Sequence, residues 1–188
     1  MATDLETWPL PSTTQENTPH MSYQEAVDRI PLYDGQFDIL EYLMEEVFPA
    51  RTPEEPKLRY RDWLRLLGEY WSSFGPVTRY AERLREILPH VGPIRTMMTA
   101  EENAAYDALP IIVTVYRGCD AGSRPGLCWS LKREVANRFP FLALYEAKKP
   151  KLITAYVRKS RILALKLDGE EEIIAFEVQV EKVEPAIR

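Results

Sequence analysis

The sequence predicts an α+β protein in which a helical N-terminal region precedes a β-rich part that carries one helix. Two observations lead there. Apolar residues recur at three- and four-residue spacing up to about residue 108 and then give way to short β-branched runs, and elements segregated in that order build α+β rather than alternating architectures. Charge divides at the same place: residues 1–108 carry 10 Lys and Arg against 19 Asp and Glu, a net of -9, and residues 109–188 carry 14 against 10, a net of +4. The whole chain of 188 residues has a net charge of -5, which argues against a general nucleic-acid binder. That length suits one domain with a helical extension and is too short for a two-domain enzyme with a dedicated cofactor domain. With 45% hydrophobic and 28% charged residues, it should fold as a soluble protein with a substantial core.

Residues 1–20, with Pro9, Pro11, Pro19 and several Ser and Thr, bury little and read as a mobile lead-in. Ser22 and Glu25 form a capping box ahead of Ala26, Val27 and Ile30, and Pro31 stops that helix early. Phe37, Ile39, Leu40, Tyr42, Leu43, Met44, Val47 and Phe48 make one apolar helical face before a break at Pro49, Pro53 and Pro56. An aromatic-rich helix follows, with Leu58, Trp63, Leu64, Leu66, Leu67, Tyr70, Trp71 and Phe74, ended by Gly75-Pro76. Trp63 and Trp71 could form a ligand platform, but at helical spacing they read first as core. A shorter helix with Tyr80, Leu84, Ile87 and Leu88 ends at Pro89, and Thr99 with Glu102 caps another through Ala108.

After Pro110 the runs are Ile111 to Tyr116, then from Lys151 onward Leu152 to Val157, Ile162 to Leu165, Ile173 to Phe176 and Val178 to Val180, all read as strands. Residues 132–145 read as a helix broken by Pro140. The regions are therefore 1–20, a helical 21–108 and a β-rich 109–188, with no internal repeat. Cys119, Cys128, His20 and His90 match neither a disulfide framework nor a zinc pattern. With no secretory leader and no apolar run of about 18 residues, a reduced, metal-free cytoplasmic protein without membrane attachment is expected.

Three places could carry chemistry. Tyr116-Arg117-Gly118 ends the strongest strand, where a guanidinium fork can grip a phosphate pair and a glycine admits a ligand to the backbone; a surface Arg before a turn is the plainer reading. Gly126-Leu127-Cys128-Trp129-Ser130-Leu131 is a short strand running into a helix, with Ser130 placed to cap that helix or to orient a neighbouring carboxylate. Gly169-Glu170-Glu171-Glu172 leads into Ile173-Ile174-Ala175, and strand alternation puts Glu170 and Glu172 on one face. A register one residue different would put Glu171 there instead, and a solvated acidic turn is the alternative to both.

This ordered set resembles the Arg-Ser-Glu class of ADP-ribosyltransferases over residues 99–180, in the form carried by small bacteriophage and prophage proteins behind a helical region. The resemblance implies a compact split β-sheet with one or two helices, and a mono-ADP-ribosyltransferase that transfers ADP-ribose from nicotinamide adenine dinucleotide (NAD) to a host macromolecule, with an arginine acceptor. It implies that Arg117 holds the pyrophosphate or adjacent ribose, that the Gly118 backbone holds the nicotinamide amide, and that Trp129 and Ser130 belong to the nucleotide site. Ser130 would position Glu172. Glu172 would stabilise the oxocarbenium-like transition state through the ribose 2'-hydroxyl, and Glu170 would orient or deprotonate the acceptor. The family usually has Ser where this chain has Cys128, a weaker hydrogen-bonding group. A chain that kept the fold and lost turnover, acting as a binding inhibitor of a host enzyme or defence complex, is the rival expectation. The helical region would select the target or cover the cleft. Lys148, Lys149, Lys151, Arg158, Lys159 and Arg161, with no acid among them, read either as a charged sheet edge or as a docking patch for an acidic host protein or nucleic acid.

Overall fold

A computed structural model of the chain describes residues 21–32, 36–48, 57–74, 77–122, 126–142, 147–169 and 171–187. The mobile lead-in expected for residues 1–20, the Pro-rich break at 49–56, the Gly75-Pro76 stop and Glu170 lie outside them.

Helix α1 (Tyr23–Arg29) starts where its capping box requires. Ser22 Oγ accepts from Glu25 N, Glu25 returns the bond to Ser22 N, and a 3-10 turn at Ile30–Leu32 absorbs Pro31. The apolar face from residue 37 is not one regular helix. α2 (Gln36–Glu41) widens into a π turn at Tyr42–Glu46, closed by Val47 N on Tyr42 O, in which Tyr42, Leu43 and Met44 are buried in succession. α3 (Tyr60–Glu69) buries Trp63, Leu64, Leu66 and Leu67. The Trp63 indole donates to Leu43 O at 2.7 Å, so a large apolar group is also satisfied as a polar one. A 3-10 turn (Trp71–Ser73) follows, then α4 (Ala81–Ile87) and α5 (Ala100–Ala108), the last capped reciprocally by Thr99 and Glu102.

Gly68 sits where α3 meets the turn at Arg95–Met97, and a Cβ there would overlap the Met97 carbonyl and Cα. Because the obstacle is backbone on both sides, Gly68→Ala is expected to destabilise by about 3 kcal/mol, at the upper end for overpacking. An unfolding free energy, measured in urea, within about 0.5 kcal/mol of the parent would be no more than a surface substitution produces and would refute that packing.

The β-rich part is one antiparallel sheet of six strands: β1 (Ile112–Asp120), β2 (Cys128–Ser130), β3 (Pro150–Arg158), β4 (Ile162–Lys166), β5 (Glu172–Ala175) and β6 (Gln179–Pro185), in the order β4-β5-β2-β1-β3-β6. The protein is thus mixed α and β with an antiparallel sheet. β1 meets β2 through the single pair Tyr116↔Ser130, whereas β1 and β3 pair over nine positions, so the sheet is narrowest between β2 and β1. β6 runs well past the apolar signal at Val178 to Val180, because an edge strand with exposed side chains has no apolar alternation to announce it.

The helix expected over 132–145 is shorter: α6 spans Arg133–Arg138 and passes into a 3-10 turn at Phe139–Phe141. Phe139 keeps helical dihedrals (φ -50°, ψ -46°), but Pro140 has no N–H to continue the α ladder, and the chain tightens into the 3-10 turn. α6 lies against β1 and β2, and Gly118 is the reason it can, since a Cβ there would overlap the Ala136 carbonyl. One buried cluster runs from Tyr42, Trp63 and Trp71 through Met97 and Tyr106 to Val115, Leu165 and Ile174, so the helical region and the sheet share a core. No helix among the described residues is long and apolar enough to cross a membrane.

Candidate active site

The cross-strand register assembles the site. Tyr116, Ser130, Glu172 and Lys166 stand directly opposite one another on β1, β2, β5 and β4, and opposed residues in antiparallel strands share a face. Cys128, two residues before Ser130, shares that face.

Glu172 opens β5, and the turn before it decides its direction. Gly169 (φ 54°) and Glu171 (φ 44°) both lie in the left-handed region. For Glu171 this is strained backbone, of a kind that persists where surrounding contacts hold it. Glu171 O accepts from Leu131 N, and its carboxylate is drawn to Lys132 Nζ at 2.7 Å. Of the two described acids in the triplet, Glu172 is the one bonded by Trp71 and Cys128, while Glu171 is engaged by Lys132.

The Glu172 carboxyl accepts from the Trp71 indole N–H at 3.0 Å and is hydrogen-bonded by Cys128. Burial pushes its pKa above the usual carboxylate range; the bonds from Cys128 and Trp71 and the charges of Arg117 and Lys166 oppose that rise without cancelling it. Arg117, one residue past Tyr116 on β1, falls on the other face by strand alternation, and what it brings to Glu172 is its charge. Its Nη1 donates to Cys128 O at 2.6 Å, its guanidinium lies against the backbone of Gly126, and its Nε is buried with no hydrogen-bond partner. Cys119, also on β1, is hydrogen-bonded by Arg117, and burial pushes its thiol pKa up.

The other sequence-derived candidates are placed as follows. Ser130 is buried and its Oγ accepts from Lys132 N at 3.0 Å; the α6 N-cap is Lys132, two residues later, so Ser130 does not occupy the cap position its sequence suggested. Trp129 is 1% exposed, with its indole donating to Gly126 O, so its ring is a core group and presents no open face to a ligand. At Gly118 the group that approaches the backbone closely is the Ala136 carbonyl of α6.

The basic run flanks β3, an interior strand, so it is not the charged sheet edge that is one reading of its sequence. Several of its members are spent on the fold. Lys159 Nζ donates to Asp107 O and Leu109 O, Lys151 Nζ to Ala121 O, and Arg161 pairs with Glu177 and donates to His90 O.

Two residues of the site are not marked as such in the sequence. Trp71 has the spacing of a core residue and is one, at 3% exposed, yet its polar edge reaches the carboxyl 101 positions away. Cys128, a weak hydrogen-bonding group, bonds the acid through its thiol. Comparison with protein-family models, curated proteins and solved structures returned no match for this chain.

Proposed function

We propose that the chain is a mono-ADP-ribosyltransferase that takes NAD as substrate and transfers ADP-ribose to an arginine of a host macromolecule, in the phage setting its motifs resemble. The observation that carries this reading is the gathering of Arg117, Cys128 and Glu172 on three adjacent strands, with the Arg117 charge acting on the Glu172 carboxyl. The residues fit the substrate. Arg117 keeps a buried Nε donor unspent, which suits an anionic oxygen of a pyrophosphate or ribose. The narrow β1–β2 junction is compatible with the split sheet of the family.

Arg117 would hold the pyrophosphate side of the substrate. Cleavage of the bond between ribose C1' and the nicotinamide nitrogen sends the bonding pair to nicotinamide and leaves positive charge on the ribose. Glu172, ionised and bonded to the 2'-hydroxyl, would lower the energy of that charge. The acceptor guanidine nitrogen then attacks C1' and gives up a proton, for which Glu170 is the base the resemblance supplies.

Arg117→Ala should weaken NAD binding about ten- to a hundredfold, the range for a charge-assisted hydrogen bond, as read by calorimetry. Labelled NAD incubated with cell lysate should mark one or a few species. Unchanged affinity in the variant, or no NAD binding by the parent, would sink the reading. One observation favours the rival, a binding inhibitor without turnover: the Glu172 carboxyl already has protein donors in Trp71 and Cys128. In that case partner affinity should survive Arg117→Ala.

A further inference from the structure

Resting on the transferase reading, we infer that Trp71 is a positioning residue for the reacting carboxylate, so that the helical region supplies part of the active site. The Trp71 indole N–H donates to Glu172 Oε1 at 3.0 Å, and the two residues belong to different parts of the fold. The donor is itself fixed. Trp71 is 3% exposed, packs edge-on against Phe74 with ring centroids 6.0 Å apart, and follows α3, which is seated against the Arg95–Met97 turn at Gly68.

The next residue grips the other end of the same turn: Ser72 Oγ donates to Asp168 Oδ2 at 2.8 Å. Consecutive residues of the helical region thus hold both ends of the acidic turn that delivers Glu172. On the sheet side, the Cys128 thiol hydrogen-bonds the carboxyl, and Arg117 acts on it through charge and donates to Cys128 O. A thiol is a weak donor and an indole N–H a good one, so the directional bond comes from the helices.

Among the described residues, the charged and titratable groups that act on Glu172 are Arg117 on β1, Cys128 on β2 and Lys166 on β4; Trp71 is neutral and acts through its hydrogen bond. That bond favours the ionised carboxylate, so removing it shifts the titration of Glu172 upward.

Trp71→Phe keeps a ring in the core and deletes the N–H. The expected result is a roughly tenfold fall in kcat with KM for NAD unchanged, and an acid limb of the kcat profile moved to higher pH. A second readout does not depend on turnover: the carboxyl carbon resonance of Glu172, assigned by its loss in Glu172→Gln, should titrate at higher pH in Trp71→Phe than in the parent. If that midpoint does not move, or if kcat is unchanged, Trp71 is a core residue only and the inference falls. A parent inactive on NAD overturns the transferase reading instead, and the titration then still decides whether Trp71 holds the carboxylate.

Discussion

Glu172→Gln should remove transfer activity and at the same time make the protein more stable. On the activity side, the substitution keeps shape and one acceptor oxygen but takes away the negative charge opposite the developing ribose cation. Loss of one such electrostatic group costs on the order of a hundred- to a thousandfold in rate. On the stability side, burial raises the pKa of the Glu172 carboxyl above its ordinary value. The folded state therefore holds the proton more tightly than the unfolded chain. Such a group contributes stability that is fully present below the unfolded pKa and is lost as pH rises through the folded pKa. Gln carries no ionisable group, so its advantage over the parent is expected to appear above the ordinary carboxylate range and to grow with pH until the buried group is ionised. Urea unfolding at a series of pH values, paired with labelling by NAD, tests both signs. Labelling that survives Glu172→Gln would remove this residue from the chemistry, and equal stability of the two proteins across pH would contradict the buried, raised carboxyl. A group kept ionisable where the fold would be more stable without it is what a functional carboxylate looks like.

The local chemistry of the chain was largely legible. Both capping boxes form with both of their hydrogen bonds, because a cap depends on residues only three apart. The β-branched runs become strands, and Glu172 and Ser130 meet because each sits in a strand whose partner follows from pairing. What escaped depended on residues far apart in sequence. Trp71 has the periodicity of a core aromatic and is one; its second role rests on a single N–H and an acid in another part of the fold. Glu102 reads as the second half of a capping box, which it is, and nothing local says that it also binds Lys166. Trp129 adjoins Ser130 in sequence, but strand alternation turns it to the opposite face, into the core. The α2 face, regular on paper, gives way to a π turn because burial of three successive side chains prevails over helical regularity.

Glu102→Ala should be strongly destabilising. Lys166 closes β4 after four apolar residues, and its side chain is 4% exposed. Its ammonium donates to Glu102 Oε2 at 2.8 Å and to Met97 O at 3.2 Å, so the charge of the sheet is answered by the start of α5 and the turn before it. Glu102 also accepts from Thr99 N and Leu167 N, which makes it the common acceptor of a helix cap, a strand end and a lysine. Removing the carboxylate leaves the ammonium buried without a counter-charge, at a cost of about 3–5 kcal/mol. Lys166→Met should cost less, because the Glu102 carboxylate keeps its two backbone donors. The double variant Glu102→Gln with Lys166→Met should recover most of the loss, since Gln preserves the capping bond and Met fills the lysine volume without a charge. Equilibrium unfolding of the parent, both singles and the double gives the coupling directly. Additive losses, or a Glu102→Ala loss below about 1 kcal/mol, would mean that the pair is an ordinary surface contact. The same lysine stands opposite Glu172 and favours its ionised form, so Lys166→Met should also move the Glu172 titration to higher pH. The contact that fastens the helices to the sheet would then also set the charge of the proposed reacting carboxylate, as expected of a site built across both regions.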